Sequence, residues 1–590
     1  MSSRAQDGSG GALRERLTEP VITGTPTGQA AHSLLHIGLL SVPALASMFP
    51  VSCTPGFLVP LIEAAEFPVF APRKDTMTRA PGYTRHNPGR VASPSRLAAL
   101  RLCLPMLLSA CTLSPPDIPA PGGTAALTGQ IHAILDTPAL GGTRWGLLVT
   151  DMDGKEILAI NPDQRFIPAS NTKMFTTAAA LASLPGLSDP DRAGGASVRL
   201  VPHEGGASDV VLIGAGDARL SDRPDCQTDC LSALADATAA AGIRRVHDVM
   251  GDDRLFPDER WGPGWSWNTL QTRSGAAVSA LTLDDNVAAL SVAPGSAAGS
   301  PPSATWKDGE TYLRLDNQAV TVGKGKTDLR IERQPGARWV RLYGIIAAGA
   351  PPEILGVGIE DPADFAAWHF RRLLEARGIA VEGGSGAWHR PLTLTDDAQA
   401  PPPFPVPPAP VLTRLTPPPL ADDIRHLLKV SQNLHAEIML RRLGLAHGTG
   451  SAAQGVAQRD AILAAAGVPR TSFSLADGSG MSTYNRVTPR AVAALLLWAN
   501  RQPWGQAWRQ DLPVAGEDGT LARRFAGTAL ADKLFAKTGT LNATHALSGY
   551  MIAASGRMLI VSFFANDVPP DVGRSTAAMD KALLTVAAAE

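Results

Sequence analysis

The hydrophobic pattern becomes regular near residue 145, where two short apolar runs flank a turn signal. Residues 145–151 and 155–160 are predicted to be the two strands of a hairpin, because an Asp-Gly pair between them favours a tight turn. From Ser170 a run free of helix breakers continues to residue 184, where a Pro-Gly pair follows, and this predicts a helix. The first three predicted elements are therefore two strands followed by a helix.

The pattern changes between residues 191 and 400, where short β-rich runs alternate with Gly and Pro turns. This texture predicts one or two inserted β-rich subdomains. The clearest predicted strands are 210–213, 311–315 and 339–346. Residues 401–420 contain ten prolines, which predicts an extended polyproline connector in preference to a folded element.

Helices and strands return after the connector. The predicted helices are 420–443 with an interruption at its middle, 454–466, 489–500 and about 573–589. A β-hairpin is predicted over 546–553 and 558–565. Because helix and strand segments lie on both sides of the insertion, we expect residues 112–190 and 421–590 to assemble into one α/β (α+β) domain.

Residues 1–111 differ from the rest of the chain. Residues 1–76 fit poorly with the residues after them, and we expect an upstream leader or mistranslated segment there. After Met77, several arginines precede the apolar run LAALRLCLPMLLSAC, an order typical of a secretory signal peptide. The run ends in a lipobox-like sequence, so Cys111 is either a lipidated mature N-terminus that tethers the protein to a membrane or an incidental residue beside an ordinary cleavage site. We expect export to the periplasm.

Cysteine usage and charge narrow the class of protein. In an exported protein Cys226 and Cys230 are predicted to form a small disulfide staple, with two free thiols as the alternative. Lys and Arg total 53 against 54 Asp and Glu, which excludes the strong basic bias of a nucleic-acid-binding protein. Neither C-x-x-C nor H-E-x-x-H occurs, so motif spacing gives no support for a zinc site, and no metal or organic cofactor is expected.

The first motif that carries chemistry is Ser170-Asn171-Thr172-Lys173. Residues three apart share a helix face, so the hydroxyl and the amine can meet. A serine hydroxyl needs a neighbouring base to become a nucleophile, and a partly desolvated lysine can lose its proton and serve as that base. The alternative is that Ser170 only caps the helix.

The second motif is S-x-N, which occurs at Ser431-Gln432-Asn433 and again at Ser266. A break between helices can direct the hydroxyl and amide of Ser431 and Asn433 into one cleft, whereas Ser266 is interpreted as a surface or packing serine. Ser431 is expected to pass a proton between Lys173 and a leaving amine, while Asn433 holds Lys173 and a substrate carbonyl.

The third motif is Lys537-Thr538-Gly539-Thr540, just before the predicted hairpin. On an edge strand beside the helix start, Lys537 and Thr538 can hold a carboxylate, and Gly539 lets a substrate backbone approach closely. The backbone N–H groups of Ser170 and Thr540 are predicted to form an oxyanion hole. The alternative is an ordinary strand lysine followed by a turn.

S-x-x-K, a Ser/Asn element and K-T-G in this order are typical of penicillin-binding proteins and class A β-lactamases. The 261 positions from Ser170 to Ser431 leave room for a large insertion that compact β-lactamases lack. The chain resembles the D-alanyl-D-alanine carboxypeptidase/endopeptidase family of low-molecular-mass class C penicillin-binding proteins from about residue 145 to the C-terminus. The stretches that carry the resemblance are NPDQRFIPASNTKMFTTAAAL, GAGD, RWGPGWSW, LTLDDNVA, LLKVSQNLHAEIML, ADGSGMS and AKTGTLN.

The resemblance implies a transpeptidase-like fold with an inserted β-rich part and a serine enzyme that acts on peptidoglycan stem peptides and cross-links. It implies Ser170 as the acylated nucleophile and Lys173 as its base. Lys537 and Thr538 are implied to bind the terminal carboxylate, and β-lactams are implied covalent inhibitors. The rivals are a serine β-lactamase and a non-catalytic peptidoglycan-binding module. Gln432 departs from the aspartate usual in relatives.

Overall fold

The computed structural model describes residues 123–307, 312–398, 409–570 and 572–590, which belong to one compact unit. The predicted leader, signal peptide and lipidation site at Cys111 lie outside the described residues. Among the described residues, no helix combines the length and apolar character needed to cross a bilayer.

The α-helices of the described residues are numbered in chain order. They are α1 (Gly123–Leu135), α2 (Thr172–Ser183), α3 (Leu231–Ala240), α4 (Pro362–Ala376), α5 (Leu394–Ala398), α6 (Leu420–Val430), α7 (Asn433–Leu445), α8 (Ala452–Ala465), α9 (Pro489–Asn500), α10 (Gly505–Asp511) and α11 (Val572–Ala589).

The strands of the described residues are numbered in the same way. They are β1 (Arg144–Asp151), β2 (Glu156–Ile160), β3 (Ser197–Val201), β4 (Asp209–Ile213), β5 (Arg245–Val246), β6 (Val249–Asp252), β7 (Val287–Ala293), β8 (Ser303–Trp306), β9 (Arg314–Asn317), β10 (Val320–Val322), β11 (Asp328–Glu332), β12 (Trp339–Ala347), β13 (Glu353–Gly358), β14 (Ala380–Val381), β15 (Ser385–Trp388), β16 (Val411–Arg414), β17 (Phe473–Ser474), β18 (Arg486–Val487), β19 (Leu534–Leu541), β20 (Thr544–Ile552) and β21 (Met558–Asn566).

A five-stranded antiparallel sheet of order β19-β20-β21-β1-β2 joins the two ends of the described chain. Successive side chains of a strand point to opposite faces, and the two cores follow this alternation. Leu147 and Phe563 belong to the core that contains α1 and α11. Leu148 and Phe564 belong to the core that contains α2 and α6 to α10. Strands from both sides of the insertion thus share one sheet.

The insertion contains further sheets, as predicted. Its largest sheet has the order β15-β6-β4-β3-β16, and smaller ones have the orders β13-β7-β8 and β10-β12-β11, with β9 beside β12. Helices α3 and α4 pack together and against this largest sheet. The insertion therefore contains helices as well as the strands that its sequence predicts. At the start of α4 the Asp361 side chain accepts from the Asp364 N–H and Pro362 occupies the first turn, a start signal that the sequence reading missed.

Two predicted elements differ from the structure. The proline-rich connector was expected to be unfolded, but residues 411–414 form β16, which pairs antiparallel with β3 at the sheet edge. Four residues free of proline suffice for an edge strand, since only one side of it needs ladder hydrogen bonds. The strand predicted at 311–315 lies a few residues later, as β9, and pairs with β12.

A disulfide joins Cys226 and Cys230 and closes a short loop that contains Asp229. The side chain of Asp229 lies beside that of Asp217, and both are buried. Burial raises the pKa of both carboxyls, and the Asp229 neighbour raises the pKa of Asp217 further. Because the folded state favours the protonated form of this pair more than the unfolded chain does, the pair makes the free energy of unfolding fall as pH rises above about 4.

Asp217→Asn is expected to stabilise the protein at neutral pH, because an amide needs no proton to remain neutral. The gain in unfolding free energy should be largest at pH 7 and should shrink towards pH 4. Denaturant unfolding at both pH values measures it. Asp236→Asn is a control with the opposite expected sign. The hydrogen bond with Arg377 lowers the pKa of Asp236, so removal of this carboxylate should not stabilise the protein at neutral pH. Equal stability of Asp217→Asn and the parent at both pH values would contradict the interpretation that burial raises the pKa of Asp217.

Candidate active site

Ser170 lies in a 3₁₀ turn, Ala169–Asn171, immediately before α2. The predicted helix start is therefore tighter than an α-helical turn, but the spacing to Lys173 on α2 is preserved. Ala169 has a positive φ of 46°. Gly480 packs so closely on this turn that a Cβ there would lie 1.9 Å from the Ala169 carbonyl oxygen. Strain and close backbone packing thus fix the position of the serine.

The Lys173 amine lies among three oxygens from three separate parts of the chain. Its Nζ is 3.0 Å from Ser170 Oγ, 2.6 Å from Asn433 Oδ1 and 2.7 Å from the backbone oxygen of Ser479. A neutral amine has two N–H donors and one lone pair. The two carbonyl-type oxygens can accept both N–H bonds, which leaves the lone pair for the Ser170 hydroxyl proton. The arrangement is that of a base aimed at a nucleophile.

Burial makes this base available near neutral pH. Lys173 is fully buried, and no described carboxylate lies within ion-pair distance of it. Burial lowers the pKa of Lys173 from 10.5 to about 7, against the opposing effect of the more distant charges of Asp477 and Glu437. The change corresponds to roughly 5 kcal/mol of lost preference for the charged amine.

Ser431 and Asn433 come from the break between α6 and α7. Ser431 has the left-handed conformation, with φ 62°, and this ends α6 and turns its hydroxyl into the cleft. Gln432 turns away and caps α7 by accepting from the Leu434 N–H, so its departure from aspartate touches no group in the cleft. The amide of Asn433 donates to the Ser274 oxygen at 2.8 Å, which fixes Oδ1 towards Lys173.

Lys537 and Thr538 lie on β19, at the edge of the central sheet. Lys537 Nζ donates to Ser431 Oγ at 2.9 Å and to the Thr538 oxygen at 3.0 Å. Burial, and then the nearby Lys173, hold the pKa of Lys537 well below its usual range. Among the described residues no carboxylate pairs with this amine, so an incoming anion would be its first counter-charge. Thr538 Oγ1 donates to Thr520 Oγ1 at 2.7 Å.

Gly539 makes a close backbone contact that the sequence did not indicate. A Cβ there would lie 2.8 Å from the Pro168 oxygen and 3.1 Å from the Ala169 Cβ. The glycine therefore lets β19 pack directly on the turn that carries Ser170, whereas the sequence suggested room for a substrate backbone. Gly539 and Thr540 both line the cleft beside the serine.

These groups surround one cleft of about 270 Å³. Its walls include the predicted Ser170, Ser431, Asn433, Thr538, Gly539 and Thr540, and both lysine amines bond to its serines. The rejected S-x-N serine, Ser266, lies elsewhere, exposed and bonded to Asn268. The sequence analysis missed Ser274, Thr520 and Leu541 in the wall. It also missed the backbone oxygen of Ser479, which contacts Lys173 from the loop that supplies Gly480 and Met481 to the wall. Backbone oxygens and a lone threonine leave no motif, although ADGSGMS is one of the stretches that carry the resemblance.

Buried ionisable side chains hold the loop that carries the Ser479 oxygen. Glu437 on α7 accepts from the Gly478 and Ser479 N–H groups at 3.1 and 2.8 Å. Asp477 accepts from the Gly480 N–H and the Ser482 N–H, and Arg459 donates to the Asp477 oxygen. Because so many backbone groups are fixed, the Ser479 oxygen is a rigid acceptor for Lys173.

Comparison with known proteins identifies the family. The profile of the D-Ala-D-Ala carboxypeptidase 3 (S13) family matches residues 127–586. A D-alanyl-D-alanine carboxypeptidase from Actinomadura sp. (strain R39) is 34% identical over 484 residues, covering 79% of this chain and 86% of that protein. The D-alanyl-D-alanine carboxypeptidase DacB of Haemophilus influenzae is 24% identical over 438 residues, or 72% of this chain and 86% of that protein.

Solved structures agree on the fold. Penicillin-binding protein 4 from H. influenzae matches with a TM-score of 0.65 at 20% identity, covering 78% of this chain and 98% of that one. The same protein in complex with a β-lactam matches with a TM-score of 0.60 at 19% identity. The predicted penicillin-binding-protein fold is confirmed. The chain belongs to the D-Ala-D-Ala carboxypeptidase 3 (S13) family and is a serine-type D-Ala-D-Ala carboxypeptidase.

Proposed function

We propose that the cleft hydrolyses D-alanyl-D-alanine bonds through an ester on Ser170. Lys173 takes the Ser170 proton as Oγ attacks the carbonyl of the penultimate D-alanine, and the N–H groups of Ser170 and Thr540 bind the developing oxyanion. The coordination of Lys173 Nζ by Ser170, Asn433 and Ser479 is the observation that carries the proposal.

The second half of the reaction uses the other motifs. Ser431 relays the proton to the departing D-alanine nitrogen, since its hydroxyl lies in the cleft and is bonded to Lys537. Lys537 and Thr538 hold the terminal carboxylate of the substrate. Water then attacks the ester, which releases the shortened peptide and restores the Ser170 hydroxyl. β-Lactams, one of which is bound in the H. influenzae structure, acylate the same serine here.

We infer that the enzyme works on peptidoglycan outside the cytoplasm. The Cys226–Cys230 disulfide supports this, because disulfides persist in oxidising compartments. The signal peptide and the lipid tether at Cys111 remain proposals drawn from sequence. We propose that both terminal D-alanine residues and cross-links are cleaved, and analysis of fragments from purified peptidoglycan distinguishes the two.

Penicillin is expected to add its mass once to the protein, on Ser170. Ser170→Ala should show no adduct and lose roughly 10⁴-fold or more of the carboxypeptidase activity, because the nucleophile is gone. Intact-protein mass spectrometry and D-alanine release measure both. Ser266→Ala, which changes the exposed serine of the other S-x-N, is the control and should behave as the parent. An adduct on Ser170→Ala would overturn the assignment, and rapid turnover of the parent's adduct would favour a β-lactamase.

The activity should rise with pH through about 7. Below this value Lys173 is protonated and cannot accept the serine proton, so kcat/KM should fall tenfold per pH unit on the acid side. Burial, and then the charge of Asp477, raise the pKa of Glu437 to about 7, so its charge develops over the same pH range. Glu437→Gln removes that charge, which raises the pKa of Lys173, while its amide oxygen can still accept the Ser479 N–H. The acid limb should therefore move to lower pH.

A pH profile of kcat/KM checks this shift. Asp163→Asn, at a surface ion pair with Arg490, is the control and should leave the profile in place. A loss of activity in Glu437→Gln without any movement of the limb would show that Glu437 acts only by holding the loop.

Lys537→Met should remove the preference for a free terminal carboxylate. Loss of a hydrogen bond to a charged group costs about 1.5–3 kcal/mol, so kcat/KM for the acid peptide should fall roughly 10- to 100-fold. The C-terminal amide of the same peptide should be affected much less. Lys533→Met, an exposed lysine just before β19, is the matched control. Equal losses on the acid and the amide would remove Lys537 from carboxylate binding.

A further inference from the structure

Two histidines and an aspartate meet at one end of the largest sheet of the insertion, outside the catalytic cleft. His203 follows β3, Asp209 begins β4, and His247 precedes β6. Strands β3 and β4 are antiparallel and β4 and β6 are parallel, so these three positions fall at the same sheet end. One ligand atom from each of the three side chains lies within 4.8 Å of the other two.

The distances between these atoms suit a tetrahedral ion. His203 Nδ1 lies 3.4 Å from Asp209 Oδ2, and His247 Nδ1 lies 3.4 Å from Asp209 Oδ1. Ligands about 2.0–2.1 Å from a tetrahedral zinc ion are about 3.3–3.4 Å apart, so both nitrogens are already near the carboxylate at the required range. Nitrogen and carboxylate oxygen are also ligand types that zinc accepts.

The backbone around the cluster is already fixed. The His247 N–H donates to the Ser208 oxygen, and the Asp248 N–H donates to Asp209 Oδ1. His247 Nδ1 is buried and has no hydrogen-bond partner among the described residues, so it retains an unused lone pair or proton. The Asp248 carboxylate lies 3.2 Å from this nitrogen. Two carboxylates and two neutral imidazoles carry a charge of −2, which a divalent cation balances.

We propose that His203, Asp209 and His247 bind one zinc-like divalent cation, with a fourth position left for water. The ion would fasten the β3–β4 loop to the turn before β6. The imidazole rings are stacked with centroids 3.6 Å apart, so binding must rotate them until both Nδ1 lone pairs converge. Both rings are about one-third exposed, which leaves them free to turn. Motif spacing misses the site because its ligands come from separate strands.

Calorimetric titration of chelator-treated protein without an affinity tag, using Zn²⁺ alone, tests the proposal. The parent should bind one ion at these residues, and its unfolding temperature should rise with zinc. His203→Ala and His247→Ala should each weaken this binding by more than about tenfold, since even partners behind the ligands matter by 10- to 100-fold. His132→Ala is the matched control, because His132 pairs with Asp136 alone, at 2.9 Å.

Asp209→Asn is a second variant that keeps an oxygen for the Asp248 N–H and loses the ligand charge. Unchanged carboxypeptidase activity in all variants shows that they fold and that the site is separate from catalysis. Absence of zinc binding by the parent would overturn the proposal. So would equal affinity in the parent, His203→Ala and His247→Ala.

Discussion

Lys173 holds its amine 2.6–3.0 Å from three oxygens, none of which bears a formal charge. A fully buried ammonium is stable only beside a carboxylate, but here Glu437 and Asp477 bind the loop around Ser479 and do not contact the Lys173 amine. The negative charges of these two residues offset part of the effect of burial on the pKa of Lys173. They form no ion pair with Lys173 that would keep the amine protonated. The pKa of Lys173 near 7 is the outcome, and a base with that pKa can take a proton from serine and release it again at neutral pH.

Close backbone packing keeps the three oxygens in place. The turn that bears Ser170 is covered by Gly480 on one side and by Gly539 on another, and neither position has room for a Cβ. Ser431 reaches the same cleft only because the chain takes a left-handed conformation between two helices. Segments more than 250 positions apart in sequence are thereby brought within hydrogen-bond distance of one amine, as proton transfer between fixed groups requires.

The sequence predicts which side chains form the site better than it predicts the backbone contacts that hold them in place. Ser170, Lys173, Ser431, Asn433 and Lys537 are recognisable because side-chain chemistry at fixed spacing leaves a motif. The Ser479 and Ser274 oxygens leave none, since any residue supplies a carbonyl. Helix and strand positions in the main domain follow from hydrophobic periodicity. In the insertion α4 was missed, and in the proline-rich connector β16 was missed, because abundant Gly and Pro suggested turns. Long-range contacts decided both structures, since α4 packs on the largest sheet of the insertion and β16 pairs with its edge.

The insertion contributes a contact to the proposed catalytic site. An asparagine amide can face Lys173 with either its oxygen or its nitrogen, and only the oxygen can accept from the amine. Asn433 is held in the useful orientation because its nitrogen donates to the Ser274 oxygen, which the insertion supplies. The insertion also reaches the loop beneath Ser479, where Trp265 donates to Asp477. If Asn433 turned over, its N–H groups would face the amine, the lysine would lose an acceptor, and the lone pair would no longer be directed at Ser170. The segment that separates the first two motifs in sequence therefore helps to orient the base that joins them in space.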